Sequence, residues 1–147
     1  MILLDTNIVS EPLRTRPDPR IRAWLDAADQ QSLFLCTPVL AEIRFGIERL
    51  PSSARRARLD EWCVNIEEDI FVDRILSFDR SAAHEFGRIV ALRQKLGRII
   101  KPLDAQIAAI AVANGLALAT RDVEDFAGLG FDVINPFANA PPSLTGG

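Results

Sequence analysis

Short runs of apolar residues, each followed by a polar or turn-forming residue, recur along the chain. Such runs are typical of strands buried on both faces, because these strands have no polar side to expose. They predict five strands, at residues 2–4, 33–36, 75–76, 116–119 and 132–134. The first run leads directly into Asp5, which indicates a strand followed at once by a turn into a helix.

Between these runs, apolar residues recur at helical spacing. The pattern predicts a short helix over residues 8–13 and longer helices over residues 19–29, 37–51, 53–69, 79–96 and 102–115. Thr37 is the predicted N-cap of one helix, with Pro38 in its first position, and Asp79 caps another. Strands that alternate with helices predict an α/β sandwich with a mostly parallel sheet of four to five strands flanked by helices.

The length of 147 residues is that of one domain, which we predict over residues 1–137. Residues 138–147 contain proline, glycine and serine, and we predict a disordered tail there. The apolar start lacks a basic leader, and polar residues interrupt the longest apolar stretch, at residues 103–119. Cys36 and Cys63 are isolated and lack metal-ligand spacing, which is typical of a reducing compartment. We therefore expect a cytoplasmic protein.

The overall charge does not indicate nucleic-acid binding, since the formal net charge is −3. Arginines nevertheless greatly outnumber the lysines, which are Lys95 and Lys101 alone. Arginine binds phosphate through two parallel hydrogen bonds, so this bias is compatible with a local phosphate-binding surface. Codon composition explains the bias equally well.

Four carboxylates occupy positions that a parallel sheet brings together. Asp5 and Asp122 directly follow predicted strands and therefore lie at the carboxyl edge of the sheet. Glu42 lies near the start of a helix that follows a strand, so it can face the same edge. Asp104 lies at the start of a helix that follows another helix, which makes the geometric argument weaker for this residue.

Two of these acids have ordinary structural alternatives. Asp5 is a suitable cap for the helix after it, and Thr6 and Asn7 are further capping candidates. Asp104 lies among leucines and isoleucines, where an ionised carboxylate is costly unless it is paired. A second carboxylate or a divalent cation would stabilise it, and so would a salt bridge to a nearby basic residue, Lys101 or Arg98.

Carboxylates that cluster repel one another, and the repulsion raises their pKa values unless a cation lies between them. Mg²⁺ or Mn²⁺ suits such a site, because hard cations prefer oxygen ligands. His84, the only histidine, is predicted in the middle of a helix away from these acids, which argues against zinc. A carboxylate-bound metal activates water and stabilises charge on phosphate oxygens, so the pattern indicates phosphodiester hydrolysis.

The segments that carry these acids also resemble a known family. Residues 3–7 (LLDTN), 37–43 (TPVLAEI), 103–109 (LDAQIAA) and 120–126 (TRDVEDF) are similar to the four acidic motifs of PIN-domain nucleases. Residues 5–12 (DTNIVSEP) resemble the opening of the FitB-like branch of VapC toxins. The resemblance covers residues 1–137 and implies a PIN-like three-layer sandwich. It also implies a Mg²⁺- or Mn²⁺-dependent endoribonuclease that is the toxin of a toxin–antitoxin pair.

By the same resemblance, the catalytic and metal-binding residues are Asp5, Glu42, Asp104 and Asp122. Asp5 and Asp104 are implied as the most direct ligands, while the other two complete the pocket through water or a second metal. Supporting roles, such as orienting water or the substrate phosphate, fall to Thr6, Asn7 and Thr120. Asp125 is interpreted primarily as a helix-start residue.

The resemblance also implies partners, namely an RNA substrate, a small antitoxin, a second copy of the chain and a larger assembly on operator DNA. An antitoxin segment would lie across a groove and place an arginine or lysine where the metal binds. Apolar residues of the helices that begin at Pro38 and Ser53 suit this groove or a dimer contact. RNA specificity would depend on groove shape and on arginines such as Arg14, Arg16 and Arg44.

Two other functions are compatible with the sequence. The chain could act mainly as a binding module that holds the antitoxin and helps it bind an operator, although its net acidity disfavours unaided DNA binding. A small-molecule phosphohydrolase with a carboxylate metal site is the third possibility. It ranks lowest, because Asn7 stands where that chemistry needs a second, nucleophilic aspartate.

Overall fold

A computed structural model describes residues 1–138 of the chain. The five predicted strands are all present: β1 (Ile2–Leu4), β2 (Leu33–Cys36), β3 (Ile75–Leu76), β4 (Ala117–Ala119) and β5 (Val133–Ile134). The α-helices are α1 (Thr6–Val9), α2 (Pro19–Ala27), α3 (Thr37–Glu48), α4 (Ala54–Asn65), α5 (Arg80–Lys95) and α6 (Pro102–Ala113). Shorter helical turns span Glu11–Leu13, Gln30–Ser32, Ile66–Ile70 and Val123–Phe126.

The strands form one parallel sheet in the order β3-β2-β1-β4-β5, which confirms the predicted parallel architecture. In register, Leu3 of β1 pairs with Phe34 of β2 on one side and with Leu118 of β4 on the other. The strand order reverses between β1 and β4, because the chain moves outward from β1 to β3 and then returns to the opposite side of β1. The crevice at the carboxyl ends of strands beside such a reversal is where open α/β sheets bind ligands.

Both faces of the sheet are covered, which gives the predicted three layers. Leu3 and Leu4 are neighbours in β1 and point to opposite faces, yet both are buried. Helix α6 contributes a nearly continuous buried run that includes Ala105, Ile107 and Ile110, and it packs along α5. Within the part of the chain that the structure describes, no helix has the length and apolar character needed to cross a membrane.

The prediction of one helix over residues 8–13 is wrong. Asp5 caps α1 two residues earlier, through a hydrogen bond from the backbone N–H of Thr6 to its Oδ1. The helix then ends at Val9, and Glu11–Leu13 forms a separate 3-10 turn. Pro12 explains the break, because proline has no N–H to continue the helical hydrogen bonds.

The predicted N-cap at Thr37 is also wrong, although the helix begins at the expected place. Cys36 occupies the cap position without a side-chain hydrogen bond, and Thr37 is the first helical residue. The Thr37 hydroxyl accepts a hydrogen bond from the backbone N–H of Phe78 at 3.4 Å instead, just beyond β3. Capping rules consider only neighbouring residues, so they could not predict this contact with a residue 41 positions away.

Most predicted helix ends extend past the observed ones by a few residues. The helix predicted over residues 53–69 stops at Asn65, and Ile66–Ile70 continues as a π-helical turn. Ser53 and Asp79 are the N-caps of α4 and α5, as the sequence indicates. Of the predicted tail, Ala138 lies in a turn, and residues 139–147 lie outside the described part of the chain.

Candidate active site

A cleft of about 390 Å³, here called the acidic cleft, lies at the carboxyl edge of the sheet where β1 and β4 end. Four separate segments meet there: the turn after β1, helix α3, the start of α6 and the turn after β4. The lining residues are Asp5, Thr6, Asn7, Ser10, Glu42, Lys101, Leu103, Asp104, Asp122 and Asp125. The structure thus brings all four acids identified from the sequence to one place.

Asp5 is the most buried acid of the cleft, with 6% of its surface exposed. Its Oδ1 accepts a hydrogen bond from the Thr6 backbone N–H at 2.8 Å, and its Oδ2 accepts one from the Thr120 hydroxyl at 2.7 Å. Burial raises the pKa of Asp5 above its ordinary value, and the two hydrogen bonds oppose that rise. The negative charges of Asp122 and Asp125 raise it further. Asp5 is therefore a fixed carboxyl group that a cation would stabilise in its charged form.

Asn7 and Thr120 connect the turns that follow β1 and β4. The Asn7 amide nitrogen donates to Asp122 Oδ2 at 3.1 Å, and its side-chain oxygen accepts from the backbone N–H of Arg121 at 3.2 Å. The buried Thr120 hydroxyl donates to Asp5 and accepts from the backbone N–H of Asp122 at 3.0 Å. These two side chains therefore fix the position of Asp122 relative to Asp5.

Asp104 and Glu42 reach the cleft from α6 and α3, and both are half-buried. Burial, with the negative charges of Asp5 and Asp125 added, raises the pKa of Asp104 to about 6, and the charge of Lys101 opposes the rise. Burial also raises the pKa of Glu42, again with a contribution from Asp5. Three carboxyl groups of the cleft therefore resist ionisation in the absence of a compensating cation.

The salt bridge considered for Asp104 is not found among residues 1–138. Arg98 lies 3.4 Å from Glu124 Oε2 instead, measured from its Nη2 atom. Lys101 lines the cleft and lowers the pKa of Asp104 through its charge, without forming an ion pair with it. The alternative that Asp104 serves only in a structural salt bridge is therefore not supported.

The Thr6 hydroxyl lacks a hydrogen-bond partner among the described residues. Its oxygen is buried, and within residues 1–138 it completes no hydrogen bond. Donation toward the Glu42 carboxyl lowers the pKa of that residue, but the contact falls short of a full hydrogen bond. A buried hydroxyl without a partner costs free energy, which a ligand in the cleft would recover.

The donor set of the acidic cleft suits a hard divalent cation, because it consists of carboxylate oxygens whose charged forms are disfavoured by burial and mutual repulsion. Across residues 1–138, however, no three acidic, histidine or cysteine side chains converge closely enough to hold an ion by themselves. Mg²⁺ is compatible with that spacing, since it commonly binds one or two protein carboxylates and keeps several waters.

Sequence reasoning missed part of the lining. Asp125 lies in the first turn of Val123–Phe126, which confirms its interpretation as a helix-start residue. It also lines the cleft, a role that its sequence position favoured less, and its charge raises the pKa values of Asp5 and Asp104. Its spacing of three residues from Asp122, on a predicted helical turn, was the available signal. Ser10 and Lys101 also line the cleft. Nothing in its sequence neighbourhood distinguished Ser10, and Lys101 was considered only as a salt-bridge partner of Asp104.

A second cavity of about 340 Å³, here called the apolar groove, adjoins the acidic cleft and shares Thr6, Ser10 and Glu42 with it. The apolar residues of α3 and α4 that were predicted to form a groove or a dimer contact lie along it. Its remaining lining residues are Leu13, Arg14, Ile43, Gly46, Ile47, Arg49, Leu50, Arg55, Leu59 and Trp62.

The three arginines suggested for RNA contact have different surroundings. Arg14 lines the apolar groove. Arg44 is engaged by acids, with its Nη1 atom 2.6 Å from Asp60 and 3.6 Å from Glu48. Arg16 is exposed and lines neither the acidic cleft nor the apolar groove.

Comparison with known proteins gives one family and several close relatives. The family model described as PIN domain matches residues 2–131. The plasmid stability protein StbB of Pseudomonas syringae pv. tomato is 41% identical over 140 residues, which cover 93% of this chain and 99% of that protein. VapC ribonuclease Y4jK of Sinorhizobium fredii is 36% identical, covering 95% of this chain and 100% of that protein. Toxin FitB of Neisseria gonorrhoeae is 36% identical, covering 93% and 99%.

The fold agrees with a solved structure as well. The crystal structure of FitAcB from Neisseria gonorrhoeae superposes with a TM-score of 0.87 at 37% identity. The superposition covers 95% of this chain and 100% of that one. Similarity therefore extends over the whole domain, including every segment that lines the acidic cleft.

Proposed function

Because the chain belongs to the PIN-domain family, we propose that it is a metal-dependent endoribonuclease that hydrolyses RNA phosphodiester bonds and acts as the toxin of a toxin–antitoxin pair. The observation that carries the proposal is the meeting of four acids from four distant segments in one cleft. That cleft lies at the strand reversal, where α/β sheets bind their ligands. Folding alone gives no reason to bring several disfavoured charges together.

In this proposal, Asp5 and Asp104 would hold the cation directly, while Glu42 and Asp122 would complete the pocket through water or a second metal. A cation held there would supply an activated water and would offset negative charge on the phosphate oxygens. Asp5 is kept in place by its hydrogen bond from Thr120, so its carboxylate needs little rearrangement on binding.

Three further residues orient an acid or position the substrate. Asn7 orients Asp122 through its amide hydrogen bond. The unpartnered hydroxyl of Thr6 offers a hydrogen bond to a ligand in the cleft. Lys101, exposed at the rim, supplies a positive charge that attracts a phosphate ester toward the acids.

We infer that Mg²⁺ or Mn²⁺ is the physiological cation, because the donors are carboxylate oxygens and the described residues place no histidine in the cleft. The test is cleavage of single-stranded RNA by metal-stripped protein to which one cation at a time is added. We expect cleavage with Mg²⁺ or Mn²⁺ and none in excess EDTA. The Asp5→Ala protein, purified in parallel, controls for contaminating ribonucleases. Activity in EDTA that no acid substitution removes would contradict the proposal.

The apolar groove supports the second half of the proposal, a small antitoxin as partner. The groove adjoins the acidic cleft and shares three lining residues with it. An apolar segment in the groove could therefore extend an arginine or lysine to the carboxylates and take the place of the cation. A homodimer and a larger assembly on operator DNA remain predictions.

The same groove favours one alternative function, a module that binds the antitoxin without cutting RNA. The two functions differ in what the acids do. Loss of RNA cleavage in the Asp5→Ala protein, with partner binding retained, supports the nuclease. A wild-type protein that binds the partner but cleaves no RNA with any divalent cation supports the binding module.

A further inference from the structure

We propose that Arg55 and Arg58, near the start of α4, bind phosphates of the RNA substrate beyond the acidic cleft. This inference rests on the proposed ribonuclease function and adds a path for the substrate. It names two arginines that the sequence alone did not single out. The path runs from the carboxylates, along the apolar groove, to a third cavity that these arginines line.

The continuity of three cavities is the first observation. The third cavity, here called the basic cleft, has a volume of about 400 Å³ and is lined by Leu13, Thr15, Arg55, Arg58 and Leu59. It shares Leu13, Arg55 and Leu59 with the apolar groove, which in turn shares three residues with the acidic cleft. A strand seated in the acidic cleft therefore has two adjoining cavities beside it, the second of which is lined by the two arginines.

The second observation concerns which arginines are free to bind an anion. Arg44 is paired with Asp60 at 2.6 Å, and Arg56 is paired with Glu48 at 2.9 Å. Arg55 and Arg58 are exposed, and neither makes an ion pair within the described chain. Their guanidinium groups are thus available for bidentate hydrogen bonds to phosphate.

The two arginines lie three residues apart and therefore share one face of α4, whose first turn contains no acid. The helix dipole disfavours a positive side chain in the first turn, which includes Arg55, and the effect falls off before Arg58. An anion bound between the two guanidinium groups would offset the unfavourable interaction at Arg55.

The chemistry of the whole path favours single-stranded RNA as its occupant. An acidic cleft on a protein of net charge −3 repels a polyanion, so positive groups outside the cleft must hold the substrate. Trp62, half-buried in the groove between the acids and the arginines, offers an aromatic surface of the kind on which unpaired bases stack. The unpartnered Thr6 hydroxyl lies at the junction of cleft and groove, where the strand would pass.

The experiment compares two double variants of the full chain that lose the same charge. Arg55→Ala/Arg58→Ala removes the proposed contacts. Arg80→Ala/Lys95→Ala is the matched control, because these exposed basic residues of α5 line none of the three cavities and form no ion pair among residues 1–138. Binding of a single-stranded RNA oligonucleotide is measured in EDTA, where it is not cut, as a function of salt concentration. Cleavage of the same RNA is measured separately with Mg²⁺.

We expect Arg55→Ala/Arg58→Ala to weaken RNA binding about tenfold or more at low salt, while the control changes it little. The slope of log affinity against log salt should fall by about 1.4, since each phosphate contact to a single strand contributes about 0.7. With Mg²⁺, KM should rise while kcat stays within about twofold, because the acids are untouched. Arg55→Lys/Arg58→Lys should keep most of the salt slope, which also guards against a folding defect in the alanine variant.

An unchanged RNA affinity and salt slope in Arg55→Ala/Arg58→Ala would overturn the proposal, and so would equal losses in the control. If that variant loses only its affinity for a protein partner, the arginines serve the partner and the proposal fails. These outcomes leave the proposed function standing as long as the wild-type protein cuts RNA. A wild-type protein that neither binds nor cuts RNA overturns both.

Discussion

Asp104 and Asp5 owe their raised pKa values mainly to burial and only secondarily to the neighbouring acids. The two residues differ in what opposes that rise. Asp5 accepts hydrogen bonds from Thr6 and Thr120, whereas only the charge of Lys101 lowers the pKa of Asp104. Among the four acids, Asp104 is therefore the residue whose charged form has the least direct support from the rest of the protein.

This difference predicts how Asp104 affects the stability of the metal-free protein. Its pKa is about 6 in the folded chain and about 4 in the unfolded chain, so the folded form holds the proton more tightly. The group therefore contributes stability below pH 4 that is lost as the pH rises through about 6. In EDTA, we expect Asp104→Asn to melt at a higher temperature than wild type at pH 7, with a smaller advantage at pH 4.

The control for that measurement is Asp132→Asn, which removes one charge from an exposed position outside the acidic cleft. Its difference from wild type should not follow the same pH profile. Mg²⁺ should stabilise the wild-type protein and not Asp104→Asn, because a ligand stabilises only the form that binds it. An Asp104→Asn protein that fails to fold would mean that Asp104 has a structural partner after all.

At the scale of elements, a buried arginine connects two of the segments beside the acidic cleft. Arg93 of α5 is 4% exposed and forms no ion pair within residues 1–138. It donates hydrogen bonds to three backbone oxygens, those of Arg98 at 2.9 Å, Asp125 at 2.8 Å and Ala127 at 3.1 Å. One side chain thus joins the connection before α6 to the turn after β4.

We therefore expect Arg93→Met to lower the free energy of unfolding by about 2–4 kcal/mol, because three backbone carbonyl groups lose the donor that the buried guanidinium group provides. RNA cleavage should fall as well, since the segments that carry Asp104 and Asp125 lose a shared support. Urea unfolding measures the first effect and single-turnover cleavage the second. Arg88→Met, exposed on the same helix, should change stability by no more than about 0.5 kcal/mol. Equal effects of the two substitutions would contradict this role for Arg93.

Two glycines give a second test at this scale, since they differ in backbone conformation but not in available space. Gly115 ends α6 with φ +66°, whereas Gly87 lies inside α5, and an added Cβ meets nothing within 4 Å at either position. Gly115→Ala should destabilise the protein by about 1–2 kcal/mol, because only glycine adopts that conformation readily. Gly87→Ala should stabilise it by about 0.5–1 kcal/mol. Thermal melts should therefore shift in opposite directions, and shifts of the same sign would show that these backbone differences do not control stability.

At the scale of the whole molecule, charge and apolar surface are distributed along one path. Acids occupy one end, arginines the other, and the apolar groove lies between them. An antitoxin segment and an RNA strand would therefore compete for the same surface. The arrangement predicts that neutralisation of the toxin is direct exclusion of the substrate and does not need a change of fold.

The corresponding prediction concerns growth and co-purification. Expression of the wild-type chain alone should arrest growth, whereas the Asp5→Ala chain should be harmless. We expect the antitoxin of this chain to be a small protein encoded beside it. Co-expression with that protein should restore growth, and the two chains should co-purify without RNA cleavage. If the wild-type chain is harmless and no small partner co-purifies, the toxin proposal fails, even if purified protein cuts RNA.

The sequence by itself determined the order and type of the elements. Buried strands are read from short apolar runs, and helix starts from local capping residues such as Ser53 and Asp79, so both follow from near neighbours in the chain. Alternation of the two predicted the parallel sheet, and the family resemblance singled out the four acids. Each of these depends on local pattern or on motif, which is why the five strands and five of the six α-helices described within residues 1–138 could be anticipated with errors mainly at their ends.

Only the tertiary structure decided how these residues meet. Strand order set β4 beside β1, and this adjacency put Thr120 within 2.7 Å of Asp5 across 115 positions of sequence. Contacts between distant segments also place Asp125 in the acidic cleft and give Arg93 its three hydrogen bonds to backbone oxygens. They likewise place the basic cleft, which Arg58 lines, beside the apolar groove. A carboxylate or guanidinium group looks the same in the sequence whether it is solvated, paired or buried. Its pKa and its partners depend on which distant segments pack around it, and that is a property of the fold.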